Sequence, residues 1–385
     1  MADRKWSTSS WGESHAERAI QFGSQAPAIN FAIRAFLASF SLCWSIACVV
    51  SDATVRASIP ESEASAISAN GEVAAGWDED AAFRWSRETG MVGLGYLPGG
   101  RSFARALAVN SDGTVVVGFS YSEEGKEAFL WTEARGMEGL GDLPGGDEGR
   151  PPDYGTGFRS EARGVSASGS LVVGEAYSAS GFEAFRWTRS EGMIGLGTLR
   201  GGRDSAANAV SADGKVVVGG TNYGPGYEAY VPFLWRASDG MRALPGFESG
   251  ERQGSAQATN RDGSVVVGWF EERGDFRTKG FIWTEEGGIE VLPGRANAVS
   301  SDGTVVVGRD GSEAFRWVAG EGVESLGDLR GGNTYSNWFF AFSGDWALGV
   351  SGDGSRVVGG SYSNRGQEAF IWIEGKGMEG LGHLP

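Results

Sequence analysis

From about Ala64 to Pro385 the chain alternates short apolar runs with polar, glycine-rich breaks, and the same four runs recur seven times. The most regular is a valine run closed by glycine, as in Val115-Val116-Val117-Gly118, Val216-Val217-Val218-Gly219 and Val305-Val306-Val307-Gly308. Apolar residues at successive positions predict a central strand covered on both faces. Before it stands an Ala-x-Ala-Val strand such as Ala106-Leu107-Ala108-Val109, joined to it by an Asp-Gly step such as Asp112-Gly113. Asn70-Gly71 and Ser168-Gly169 replace that step in the first and third copies. Asp-Gly between apolar runs predicts a tight hairpin turn of the mirror-image kind, which needs φ > 0.

The third run alternates, which places its phenylalanine and tryptophan on one face. The pairs are Phe83/Trp85, Phe129/Trp131, Phe185/Trp187, Phe233/Trp235, Phe281/Trp283, Phe315/Trp317 and Phe370/Trp372. Between each pair stands Arg84, Leu130, Arg186, Leu234, Ile282, Arg316 or Ile371, and the arginines predict a half-exposed opposite face. A Gly-Met-x-Gly-Leu-Gly run completes the unit. The tryptophans recur on average about 48 residues apart, a period of propeller blades and kelch-like units. One four-stranded sheet cannot bury two large rings, whereas seven stacked radially can. The expected fold is therefore all-β, a seven-bladed β-propeller of four-stranded blades with these fourteen rings as its core. Closure is open at this stage, because the chain stops at His383-Leu384-Pro385, where the glycines of another turn are due.

Departures from the repeat locate the candidate site. Extra residues enter between strands four and one at 147–159 and 333–345, and between strands two and three at 221–231. In an up-down blade both kinds of connection lie at one end of the strands. The insertions carry Tyr154, Phe158, Tyr223, Tyr227, Tyr230, Tyr335, Trp338 and Phe339. Aromatics on long loops over a rigid scaffold predict a ligand face, for a glycan or a protein. The alternative is that the rings cap the channel or pack on neighbouring loops.

The N-terminal segment differs in kind. Residues 35–50 are uncharged and follow Arg34, and a small-residue site comes after them, so residues 1–53 predict an export signal with an extended n-region. A linker, 54–63, then leads to the propeller, 64–385. Cleavage after Ala53 or Ala47, or retention as an anchor, all place the repeats outside the cytoplasm, as secreted, periplasmic or cell-surface protein. Ser45-Ile46-Ala47-Cys48 is similar to a bacterial lipobox, with Ser45 where leucine is usual. Membrane attachment is expected only through this segment.

Composition narrows the chemistry. With 64 glycines but only 11 prolines the chain has turn-rich β composition rather than that of a disordered one. A net charge of −16 without a basic patch excludes nucleic acid as partner. Cys43 and Cys48 lie in the export segment, so the repeats hold no thiol or disulfide. His15 and His383 are the only histidines, which leaves no histidine triad and no His/Cys metal site; no cofactor or catalytic residue is predicted. The turn aspartates read as turn chemistry, and Asp78, Glu79 and Asp80 as a solvated loop. A carboxylate pair for glycoside chemistry stays open as the enzymatic alternative, a hydrolase or lyase on polysaccharide.

Glu-Ala-Phe-x-Trp followed by Gly-Met-x-Gly-Leu-Gly-x-Leu-Pro-Gly-Gly resembles the HAF-repeat family of extracellular bacterial repeat proteins, over nearly all of 64–385. Glu127, Glu183, Glu313 and Glu368 stand where the family name has histidine. The resemblance implies export and a repeat fold, and brings no catalytic residues. The expected function is an exported binding or interaction module, or a purely structural surface repeat.

Overall fold

The computed structural model describes residues 61–146, 157–223, 230–249, 251–275, 277–329, 344–364 and 366–385. Every regular element among them is a strand. The first blade is built of β1 (Ser62–Ile67), β2 (Val73–Asp78), β3 (Ala81–Ser86) and β4 (Gly90–Gly93), and the second of β5 (Gly99–Val109), β6 (Val115–Ser122), β7 (Gly125–Thr132) and β8 (Gly136–Gly139). The third holds β9 (Phe158–Val165), β10 (Leu171–Ser178), β11 (Gly181–Thr188) and β12 (Gly192–Gly195); the fourth holds β13 (Ser205–Val210), β14 (Val216–Asn222), β15 (Tyr230–Arg236) and β16 (Gly240–Ala243). β17 (Arg252–Thr259), β18 (Val265–Glu272), β19 (Lys279–Thr284) and β20 (Gly288–Pro293) form the fifth. The sixth comprises β21 (Arg295–Val299), β22 (Val305–Asp310), β23 (Glu313–Val318) and β24 (Gly322–Ser325), and the seventh β25 (Trp346–Val350), β26 (Arg356–Ser363), β27 (Gly366–Ile373) and β28 (Gly377–Gly380). Within each blade consecutive strands pair antiparallel, and a short parallel ladder between β7 and β9 joins the second blade to the third. β1 takes up Ser62 and Glu63, residues expected in the linker.

The chain is a seven-bladed β-propeller. The first strand of every blade lies innermost and touches the first strands of both neighbours, β25 and β1 included. Each Phe/Trp face packs on the preceding blade, as Phe129 and Trp131 do on Ala75, Ala82, Leu94 and Leu97. The expected core of fourteen rings is correct for its phenylalanines and needs correction for its tryptophans. All seven phenylalanines are buried, as are Trp187 and Trp283, but Trp85, Trp131, Trp235, Trp317 and Trp372 are only half-buried. Each tryptophan is the last residue but one of its strand, whereas the phenylalanine stands two residues further in. The larger ring therefore reaches the margin of the blade, where the neighbour covers one side of it and solvent the other. Trp85 packs in this way against the first-blade core beside Leu381 and Leu384, and Trp317 against Val306 and its neighbours.

The opposite face is half-exposed, as expected, at Arg84 and Arg186, and covered at its other five positions. Leu130, Leu234, Ile282 and Ile371 are buried there, and so is Arg316. Arginine is tolerated because its guanidinium reaches across the junction: Arg84 Nε donates to the Gly113 carbonyl of the next blade at 3.1 Å.

The hairpin turns also differ from expectation. Glycine alone has φ > 0 in them, 78° at Gly113, whereas Asp112 does not, so the turn is not the mirror-image type. Gly113 N–H closes on the Asn110 carbonyl at 3.2 Å, and Asp112 Oδ1 accepts the Thr114 N–H and hydroxyl at 3.0 and 2.6 Å. A longer loop of this kind needs one left-handed residue. Glycine is doubly required, since a Cβ at Gly113 would collide with Val73 of the preceding blade.

Closure is complete. Backbone hydrogen bonds step from blade to blade beside the channel: Ala167 N to Ala212 O, Ala212 N to Arg261 O, Arg261 N to Ser301 O, Ser301 N to Gly352 O, and Gly352 N to Ala69 O, the last from blade seven to blade one at 2.9 Å. The Gly-Leu-Gly-x-Leu tails act as clasps. Leu94 and Leu97 pack on blade two, Leu140 and Leu143 on blade three, Leu326 and Leu329 on blade seven. Leu381 and Leu384 pack on blade one beside Ala64, Ala74 and Phe83. Asp78 fastens that last clasp, taking Leu384 N–H at 2.6 Å and lying 2.8 Å from His383 Nδ1. Part of the supposed solvated loop is thus a buried anchor.

Candidate functional site

The central channel has two chemically distinct ends. At the Asp-Gly end it holds a cavity of about 330 Å³ walled by Ile67, Val109, Val165, Val210, Val299 and Val350, with Thr259 completing the ring. Toward the insertion-bearing end, the inner-strand residue that precedes the alanine paired with each valine-strand glycine lies in register with the residue after that glycine. These pairs are Glu63↔Trp77, Arg105↔Phe119, Glu161↔Glu175, Ala206↔Gly220, Ser255↔Trp269, Arg295↔Arg309 and Trp346↔Gly360. A belt of charged and aromatic side chains therefore occupies a tier in which the repeat is not uniform.

On one side of the belt, where blades seven, one and two meet, Glu63 accepts the indole N–H of Trp77 at 3.1 Å and of Trp346 at 2.6 Å. Burial pushes its carboxyl above the usual range, partly offset by these donors and by the Arg105 charge. Arg105 lies 3.5 Å over the Trp77 ring. Its Nη1 is buried without a hydrogen-bond partner, as is Ser65 Oγ. Arg295 over Trp269, at 4.3 Å, repeats the guanidinium–indole stack elsewhere in the belt.

On the other side an ion network spans blades two to five. Glu161 takes Lys126 Nζ at 2.5 Å and Arg163 Nε at 3.0 Å, and Arg163 Nη2 reaches Glu175 at 2.8 Å. Arg163 Nη1 continues to Asn208 at 3.1 Å, which donates to Ser255 at 3.0 Å. Burial raises Glu175; it also pushes Glu161 upward, but the Arg163 and Lys126 charges outweigh it and hold that carboxyl below its usual range. Two cations, Lys126 and Arg163, thus face two carboxylates, and the network is balanced in charge.

Of the sequence-predicted ring residues, Tyr230 lies beside this network. Its ring lies over Gly220, where a side chain would collide with it, and burial and the Glu175 charge push its phenol up. Phe158 opens the strand that bridges blades two and three, donating its N–H to the Glu124 carbonyl at 2.5 Å. Tyr223 packs against the fourth-blade core, with Arg200 5.0 Å over its ring. Tyr154, Tyr227, Tyr335, Trp338 and Phe339 lie outside the described residues. Among the described residues no group of His, Cys, Asp and Glu is arranged to hold a metal. Sequence reasoning missed Glu63, Arg105, Lys126, Glu161, Arg163 and Glu175. Their signal was the variable residue beside each invariant alanine or Val-Val-Gly.

No family model and no curated protein matches the chain. Among solved structures it is similar to an oligogalacturonate lyase from Vibrio parahaemolyticus, at 12% identity over 80% of this chain and 88% of that one, with a TM-score of 0.53. An oligogalacturonate lyase in complex with manganese gives 10% identity, coverage of 81% and 89%, and a TM-score of 0.54. TolB from Acinetobacter baumannii gives 11% and 0.44 over 69% of this chain, which spans 63% of that chain's length. Identities this low speak for a common propeller fold alone.

Proposed function

We propose that the protein is an exported binding module that takes a glycan into the insertion-bearing end of its channel. Export rests on the apolar segment 35–50 and its flanks. The observation that carries the binding reading is Arg105, stacked on Trp77 with a buried N–H that no group among the described residues satisfies. Buried donors are almost always paired in folded proteins, and an orphan in a channel wall is a place for a ligand oxygen. Tryptophans 77, 269 and 346 around the same tier offer flat faces for sugar rings.

A glycan array on the mature domain, followed by calorimetry on its hits, tests this. Arg105→Leu removes a charged donor worth about 1.5–3 kcal/mol, so affinity falls about tenfold or more while thermal unfolding stays close to wild type. Unchanged affinity overturns the channel site. Cleavage of a bound oligosaccharide would make the protein a polysaccharide hydrolase or lyase instead.

A further inference from the structure

The seven blade junctions are equivalent by repeat but not in chemistry. Arginine stands between the core rings in blades one, three and six, and leucine or isoleucine in the other four. At the junction of blades six and seven the arginine is closed in: Arg316 pairs with Glu324 at 2.7 Å and Glu374 at 3.2 Å, 5.5 Å from the Trp372 ring. At the other two Arg84 is bonded to the Gly113 carbonyl and Arg186 pairs with Glu191 of its own blade at 2.6 Å, and the junction beside each stays open, as grooves of about 760 and 770 Å³. Arg84 and Trp131 line the first, with Glu72 and Glu133 at its rim. Arg186 and Trp235 line the second, with Asp213 and Asp262.

Both grooves thus combine a half-buried indole with charges of both signs, Arg84 and Arg87 with Glu72, Glu88 and Glu133 in the first, Arg186, Lys215 and Arg236 with Asp213 and Asp262 in the second, in a space of the size that small-ligand sites occupy. Charges this close to balance favour neither an anion nor a cation, and an apolar ligand would cover the charged groups without pairing with them. A neutral sugar meets both demands: its C–H face covers the indole, while adjacent hydroxyls donate to carboxylate and accept from arginine. We propose that these two grooves are lateral subsites for neutral glycans, separate from the channel site. Two sites on one chain would raise avidity for a repeating polysaccharide without any new contact.

The repeat supplies its own control variants, because Leu130 and Leu234 already occupy the arginine position in blades two and four. Arg84→Leu and Arg186→Leu are made in the full chain carrying Arg105→Leu, so that the channel does not contribute. Titration with maltose, cellobiose, mannobiose and chitobiose, followed by calorimetry and tryptophan fluorescence, is expected to find two equivalent sites for at least one sugar. Each variant lowers the stoichiometry from two to one, and the pair abolishes binding. Glu133→Gln with Asp262→Asn, at exposed positions, is expected to weaken both sites at least tenfold even if an arginine variant folds poorly. The proposal is overturned if none of the four sugars binds, or if the double arginine variant and the rim variants bind as the parent does.

Discussion

Asp345 shows how one residue can set a junction apart. At its place in the inner strand, Ser62, Ser160 and Ser205 each accept an alanine N–H of the neighbouring blade through the hydroxyl, at 2.9 Å. Asp345 instead accepts Tyr362 N–H at 3.1 Å, and burial together with the Asp328 carboxyl pushes its pKa to about 7 from an ordinary 3.8. A carboxyl whose folded pKa is raised binds its proton more tightly in the folded state. Its contribution to stability is therefore full below about pH 4 and is lost as pH rises through about 7. Asp345→Asn should remove this slope, so that variant and wild type converge in melting temperature at acid pH and the variant is the more stable above about pH 7, by a few kcal/mol at most. Melting curves across that range decide it; parallel profiles would mean that the carboxyl does not titrate there. Nothing in the sequence brings Asp328 and Asp345 together, since the chain between them is an insertion.

Among the elements, every strand type was legible because alternation and the Asp-Gly punctuation report burial directly. Alternation names the face a ring points to but not how far the neighbour covers it, which is why Trp85 and Trp317 read as core and are half-buried. The motif glutamates were legible as a pattern but not as a cause. Glu127 and Glu183 accept the N–H of Gly141 and Gly197 at 2.9 and 2.8 Å, and their carboxylates lie against Gly139 and Gly195, where a Cβ would collide. Blade six carries Ser325 at that glycine position; there Gly327 N–H turns to the serine hydroxyl at 3.3 Å, and Glu313 is exposed. Gly139→Ser alone should thus cost about 1–3 kcal/mol through overpacking. Adding Glu127→Ala should recover part of the loss, a non-additivity that a double-mutant cycle in urea would measure. Additive costs would remove the steric explanation. The tight-turn expectation failed because the loop is longer than a two-residue turn, and the arginine face is half-exposed only at Arg84 and Arg186 because a single repeat does not specify how far the neighbouring blade covers it.

For the whole molecule the ring closes without exchanging strands, since each blade is one contiguous stretch of chain. Its last clasp is the Leu381/Leu384 tail on blade one, tied to Asp78. Deleting residues 381–385 removes two half-buried leucines together with the Asp78 bond and should cost about 2–5 kcal/mol. It should also open the seven–one junction to faster amide exchange. An unfolding midpoint and exchange pattern like those of wild type would show that the backbone bonds beside the channel close the ring alone.

The sequence by itself determined the number of blades, the order of their strands and the rings between them, because a repeat of fixed period can bury its apolar face only against copies of itself. Only the tertiary structure decided which variable residues meet. Glu63 lies beside Trp346 across nearly the whole chain, and Arg84 opposite Trp131 across a blade junction. Closing a ring brings together residues far apart in sequence, and the candidate channel and groove sites lie at those meetings.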